Sequence, residues 1–142
     1  MSAKTFLWRH RVTYAECTLG NHIYYARYLD LLEAARGEFF RELGAPLAEL
    51  QLEDMIFPVV ECHLRYLAPA RYDDELVVEV RLVSLSRLRM SFDYQVFKSG
   101  GAPVVGARTA HICAGCNEKP KRMHPDLAEK LCAQLVHQDE VA

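Results

Sequence analysis

Between residues 74 and 98 the chain alternates apolar and polar positions with little interruption. Leu76, Val78, Val80 and Leu82 interleave with Val77, Glu79, Arg81 and Val83, and Leu88, Met90, Phe92, Tyr94 and Val96 repeat the same step. A period of two belongs to a strand, whose successive side chains leave opposite faces. It predicts strands over 74–86 and 88–98, with further extended runs over 55–67 and 102–114. Ser99, Gly100 and Gly101 supply the turn of a hairpin before the last of them. Residues 4–17, rich in aromatic and β-branched side chains, predict another strand.

Residues 22–43 change to a helical period. Tyr25, Leu29, Leu32, Phe39 and Leu43 recur at steps of three, four or seven, with Tyr28 and Ala35 beside them. Arg27, Asp30, Glu33, Arg36 and Arg41 mark the wetter side, and Gly44 and Pro46 stop the helix. So wide an apolar sector predicts a helix half covered by a sheet. Gly37 costs about 1 kcal/mol against alanine in such a helix. Either the helix backbone approaches a neighbour closely there, or the glycine is a tolerated surface residue. Residues 46–53 read as a loop or short helix, and Leu127–Leu135 as a short amphipathic helix. Strand, long helix, four strands and a terminal helix together predict an antiparallel α+β domain.

At 142 residues the chain reads as a single domain, 1–142. A net charge of −2 leaves no global field for nucleic acid or an anionic membrane. No apolar run approaches a membrane span, and the opening MSAKTFLWRHRV lacks the apolar core of a signal peptide. Cysteines at 17, 62, 113, 116 and 132 are odd in number and scattered, which suits reduced thiols in a cytoplasmic protein. Cys113 and Cys116, with His111 nearby, form half of a zinc pattern; the other half is missing, so no metal is expected.

Chemistry concentrates in AECTLGNHIYYARYLDLLEAAR, residues 15–36. A strand-like run ends at Cys17, turn residues follow, and Asn21, His22, Tyr24 and Tyr25 crowd the start of the helix pattern. The leading N–H groups of a helix lack intrahelical partners and carry positive potential. The N–H groups near Tyr24 and Tyr25 are therefore candidate oxyanion donors. Asn21 suits an N-cap, a role compatible with a site. His22 is either a general base or a histidine flanking that cap. Glu16 either faces the site or ends a strand in solvent. Alternation puts Glu61 on one strand face with Phe57, Val59 and His63, as a base or as an ion-pair partner of Arg65. Cys17, beside Thr18, has no histidine at a diagnostic spacing and reads as an inert thiol.

The element order, with YAECTLGNHIYYARYL at 14–29 and YLAPARYDDEL at 66–76, resembles the hotdog fold. Within that fold it looks like the 4-hydroxybenzoyl-CoA thioesterase type of acyl-CoA thioester hydrolase. The resemblance implies a curled antiparallel five-stranded sheet wrapped around one long central helix, with a short C-terminal helix. It implies hydrolysis of an acyl or aroyl thioester to free acid and thiol. Coenzyme A, or acyl carrier protein, belongs to the substrate, and no separate cofactor is expected. It also implies a homodimer or tetramer joined at the 55–67 strand, which is too apolar for an open edge. Glu61 would then reach the partner's helix start.

The family carries a catalytic Asp in the loop before the helix. Aligning His22 with the family's helix-leading residue puts Thr18 at that position; aligning Gly20 instead puts Cys17 there. Neither register supplies a carboxylate. Glu33 is a further acid by likeness to hotdog thioesterases with a helix glutamate, whereas Asp30 reads as solvated. Lys119, Lys121 and Arg122 either meet the phosphates of coenzyme A or form a solvated turn. Tyr24, Tyr25 and Tyr28 line an acyl pocket or pack in the core. Two other functions fit the same residues: a dehydratase-like enzyme using His22 with Glu61, and a non-catalytic acyl-thioester-binding protein.

Overall fold

The structure is a computed structural model that describes residues 4–136; the remainder of the 1–142 span lies outside them. The chain forms β1 (Phe6–Arg11), two short strands β2 (Cys17–Thr18) and β3 (His22–Ile23), and the long helix α1 (Tyr28–Glu42). The short helix α2 (Leu47–Leu52) follows, then β4 (Val59–Tyr66), β5 (Glu75–Leu85), β6 (Arg89–Lys98), β7 (Pro103–Ile112) and α3 (Pro125–Cys132). Five strands make one antiparallel sheet in the order β1-β5-β6-β7-β4, so β4 is an edge. This is the α+β hotdog arrangement, one long helix laid on one face of the sheet. No helix of the described residues is long and apolar enough to cross a membrane.

Period-two alternation decides which face is covered. Leu76, Val78, Val80 and Leu82 of β5 are sealed, as are Phe92, Tyr94 and Val96 of β6. They meet Tyr28, Leu31, Leu32, Ala35, Phe39 and Phe40 of α1. Each large side chain so covered contributes about 1.5–3 kcal/mol. Phe39 packs edge-on to Phe6 at 6.1 Å and to Phe92 at 5.3 Å, while Phe40 stacks on Phe57 at 5.8 Å. These contacts carry α1 across the sheet from β1 to the segment before β4.

Two expectations change, and one open alternative is decided. First, α1 starts at Tyr28, not at residue 22, because His22 and Ile23 pair with Thr18 and Cys17 and a 3-10 turn at Tyr25–Arg27 leads in. The Ile23 N–H donates to the Ala70 carbonyl at 2.9 Å and the Tyr24 N–H to the Glu16 carbonyl at 3.0 Å. Those donors are committed to extended neighbours and cannot serve a helix. The buried stripe turns accordingly, leaving Tyr25 61% and Leu29 45% exposed. Second, a bulge interrupts β4. Val59 lies opposite His111 while Glu61 lies opposite Ala110. One extra residue moves the downstream positions to the other face, so Val59 and Glu61 do not share one. Cys62, Leu64 and Tyr66 align with Thr109, Ala107 and Val105 and face α1. Third, a Cβ on Gly37 would meet nothing within 4 Å, so no close approach requires this glycine.

The sheet face under α1 also buries polar groups. His111 is 1% exposed, and its ring bonds the Phe57 carbonyl at 3.0 Å and Thr109 at 2.8 Å. Burial, then the charge of Arg36, push its pKa down to about 4.

Gly37→Ala is expected to raise stability by roughly 0.5–1 kcal/mol; a lowered urea midpoint would contradict the open surroundings of this position. His111 predicts an acid effect. An unfolded histidine takes its proton below about 6.5, the folded one only near 4. Stability is therefore full above the first value and declines as pH falls to the second, by roughly 3 kcal/mol in all. Urea unfolding between those values should show a one-proton dependence that His111→Gln lacks.

Candidate active site

The start of α1 is assembled from the two stretches singled out in the sequence. Gly20 (φ 89°) and Asn21 (φ 57°) adopt left-handed conformations between β2 and β3, with the Asn21 N–H donating to the Thr18 carbonyl at 3.1 Å. Glycine takes such angles freely, and asparagine tolerates them better than most residues. Asn21 is thus a turn residue and caps no helix. Arg71, from the 66–76 stretch, donates to the carbonyls of Gly20 at 3.0 Å and Asn21 at 3.4 Å. Together with the Ile23–Ala70 bond, this ties the loop to the connection between β4 and β5.

Upstream, Glu16 is structural. Its carboxylate accepts the Thr13 N–H at 2.7 Å and contacts His10 Nε2 at 2.8 and 2.9 Å. Burial pushes its pKa up, but the Thr13 bond and the His10 bond and charge outweigh that and hold it below the ordinary carboxylate value. Cys17 is half-buried, its thiol 3.6 Å from the Thr13 carbonyl.

A cavity of about 560 Å³ opens at the helix start, lined by Thr18, His22, Tyr24, Tyr25, Tyr28 and Tyr66 with apolar Leu67 and Pro69. The rings form a continuous wall: Tyr24 to Tyr25 at 4.7 Å, Tyr25 to Tyr66 at 6.4 Å, Tyr28 to Tyr66 at 5.7 Å. The Tyr66 hydroxyl donates to the Tyr25 carbonyl at 2.9 Å. Burial pushes the Tyr28 and Tyr66 phenols up, so both stay protonated and uncharged at neutral pH. The wall suits an acyl group, not an anion.

Two groups in this cavity can act on a carbonyl. The Tyr24 N–H is used by Glu16, but among the described residues the N–H groups of Tyr25 and Ala26 carry no hydrogen bond. They open the 3-10 turn that runs into the 15-residue α1, so its dipole adds to theirs. His22 is the second. Its Nδ1 donates to the Ile23 carbonyl at 3.3 Å, which leaves Nε2 with its lone pair free. The ring lies over Gly20, where a Cβ would stand 3.2 Å from it. Thr18 is the direct cross-strand neighbour of His22. In the register that aligns His22, the position of the family acid and the candidate base therefore adjoin, with Cβ atoms about 5 Å apart.

The other candidates lie elsewhere. Glu61 is exposed on the sheet face turned away from α1, with no ion pair to Arg65 among the described residues. Asp30 pairs with Arg27 at 3.3 Å, and Glu33 is exposed on α1. Lys119, Lys121 and Arg122 follow β7, at the end of β4 far from the cavity, a strand length of roughly 25 Å. Lys121 is held by Asp54, at 3.0 Å from its carbonyl and 3.1 Å from its carboxylate. The Cys116 N–H first, and Lys121 second, keep that carboxyl below its usual value. Cys113 is buried and Cys116 exposed, and the ring of His111 is already engaged as described. Sequence reasoning passed over Tyr66, Arg71 and Ala26, although the first two stand in the quoted 66–76 stretch.

A five-stranded antiparallel sheet on one long helix, with an apolar cavity at that helix's open start, makes a hotdog domain whose cavity can take an acyl group beside the Tyr25 N–H. The profile of the thioesterase-like superfamily matches residues 12–131, and the chain belongs to this family. It is similar to the acyl-CoA thioester hydrolase YbgC of Escherichia coli, 27% identical over 125 residues that cover 88% of this chain and 90% of that one. Among solved structures it resembles a hypothetical protein of Thermus thermophilus (31% identity, TM-score 0.87, covering 91% of this chain and 98% of that one). It also resembles a DHNA-CoA thioesterase of Staphylococcus aureus (26% identity, TM-score 0.86, covering 91% and 89%).

Proposed function

We propose that this chain, a thioester hydrolase by family, cleaves an acyl-CoA thioester to a free acid and coenzyme A. The observation that carries the reading is the tyrosine-walled cavity lined by Tyr25, whose N–H, like that of the adjoining Ala26, carries no hydrogen bond among the described residues. With the thioester carbonyl at those donors, a water attacks its carbon and passes a proton to His22 Nε2. The negative oxygen of the tetrahedral intermediate is held by the two N–H groups. The carbon–sulfur bond then breaks, and the thiolate takes the proton back from the imidazolium. Thr18 stands where an acid would assist, and its hydroxyl orients the water.

Assembly belongs to the same reading. The β4 edge exposes Val59 at 48%, Val60 at 51%, Tyr66 at 50% and, just beyond the strand, Leu67 at 51%. An open edge with that surface favours pairing. Two copies joined by antiparallel β4 strands bring the partner's Lys119 and Arg122 toward the cavity, which suits the phosphates of coenzyme A. The joined sheet keeps Glu61 on its outer face, so His22 is the base here and the dehydratase pair is disfavoured. The absence of a carboxylate at Thr18 favours, as second reading, a protein that binds the thioester without cleaving it.

Thiol release from a panel of acyl-CoA thioesters tests the reading; tight binding with no release would replace it with the second. On the best substrate His22→Ala should lower kcat roughly a hundredfold or more, and Thr18→Asp should preserve or raise it. A well-folded His22→Ala protein at wild-type rate would remove His22 from the mechanism. Light scattering at micromolar concentration should find a dimer or a larger even assembly, and a monomer would contradict the β4 pairing.

A further inference from the structure

Arg36 lies two turns into α1, about 12 Å of axial rise beyond Tyr28. It is half-buried, and among the described residues no carboxylate pairs with it. What holds it is a line of hydrogen bonds across the inner face of β6 and β7. Arg36 Nη1 bonds Tyr94 Oη at 3.0 Å, Tyr94 Oη bonds Thr109 Oγ1 at 2.7 Å, and Thr109 Oγ1 bonds His111 Nε2 at 2.8 Å. His111 Nδ1 completes the line to the Phe57 carbonyl at 3.0 Å.

Both ends dictate direction. A carbonyl only accepts, so Nδ1 carries the proton and Nε2 accepts; a guanidinium only donates. Thr109 must then donate to His111, and Tyr94 to Thr109. Every proton in the line is committed, and all three intermediate side chains are sealed, at 0%, 3% and 1% exposure for Tyr94, Thr109 and His111. Such a fully satisfied buried network is rigid. It fixes one nitrogen of Arg36 and leaves the remaining donors uncommitted.

Those donors adjoin the strip between α1 and the β4 edge. Cys62 faces that strip and feels the Arg36 charge. Tyr66, two strand positions further along the same face than Leu64, belongs to the cavity wall, so this face of β4 leads from the cavity toward Cys62 and Arg36. An acyl group with its carbonyl at Tyr25 and Ala26 extends along this strip toward Arg36. A wholly apolar acyl group would leave the guanidinium partly desolvated and unpaired, at a cost.

We propose that Arg36 is a specificity-determining residue, and that the substrate class is an acyl-CoA whose acyl group carries an oxygen acceptor, a carboxylate above all, remote from the thioester. His111, Thr109 and Tyr94 are its positioning residues. The proposal rests on the hydrolase reading and narrows its substrate.

The test uses the full chain and a series of dicarboxylic mono-CoA thioesters, each matched to the alkyl acyl-CoA of equal carbon count. The readout is the ratio of kcat/KM within each pair. At the best length the wild type should favour the carboxylate about tenfold or more. Arg36→Met should bring the ratio near unity or invert it. Arg36→Lys, which keeps charge without the planar fork, and Tyr94→Phe, which removes the positioning hydroxyl, should each give intermediate ratios; they serve also if Arg36→Met fails to fold. A wild-type ratio near unity at every length overturns the proposal. So does a preference that survives Arg36→Met, or loss of the dimer with the ratio unchanged, which would assign Arg36 to a carboxylate of a second copy. If no thioester is cleaved, the hydrolase reading fails, and the same ratio taken from calorimetric dissociation constants decides the role of Arg36.

Discussion

Burial of the broad apolar face of α1 against the inner face of the sheet is the constraint on which the molecule depends. Phe39 and Phe40 reach β1, β6 and the segment before β4, so a single helix covers most of the sheet's width. Because α1 is held along its length, its N-terminal end has a defined position, and what surrounds that end becomes a site. The sheet's other face carries charged pairs such as Glu79 with Arg81 at 3.0 Å.

The helix start gains its chemistry from what the preceding loop takes away. Glu16 and Ala70 accept the N–H groups of Tyr24 and Ile23, and Arg71 occupies the carbonyls of the turn. Satisfaction of these groups stops short of Tyr25 and Ala26. A helix start that were capped by a side chain would be more stable and less able to bind an oxyanion. Stability is thus supplied from outside, by the connection between β4 and β5, while the donors stay free.

The same division recurs further along α1. Tyr94, Thr109 and His111 replace hydrophobic side chains at a sealed part of the core, where each unsatisfied group would be costly. All are satisfied, because the Phe57 carbonyl closes one end and Arg36 the other. A polar line of this kind contributes little net stability compared with a well-packed apolar core. Its distinctive product is a guanidinium held at one place on α1.

Much of this was legible in the order of residues. Alternation at 74–98 and the helical period after residue 22 report local geometry, since a strand and a helix each impose their own repeat on the side chains they bury. The order of elements came from those repeats, and the 14–29 and 66–76 stretches marked the region of the site. Other features arise between segments far apart in the chain and leave no local trace. Whether residues 22–27 continue the helix is decided by bonds to Glu16 and Ala70. Which face Glu61 takes is decided by one bulged position against β7, and one residue suffices to reverse a face. The adjacency of Thr18 and His22 needs the β2–β3 register, and the Arg36–Tyr94 bond joins residues 58 positions apart. Periodicity records what a residue buries; only the folded chain determines which distant backbone and side-chain groups are left to satisfy one another, and which are left free to act.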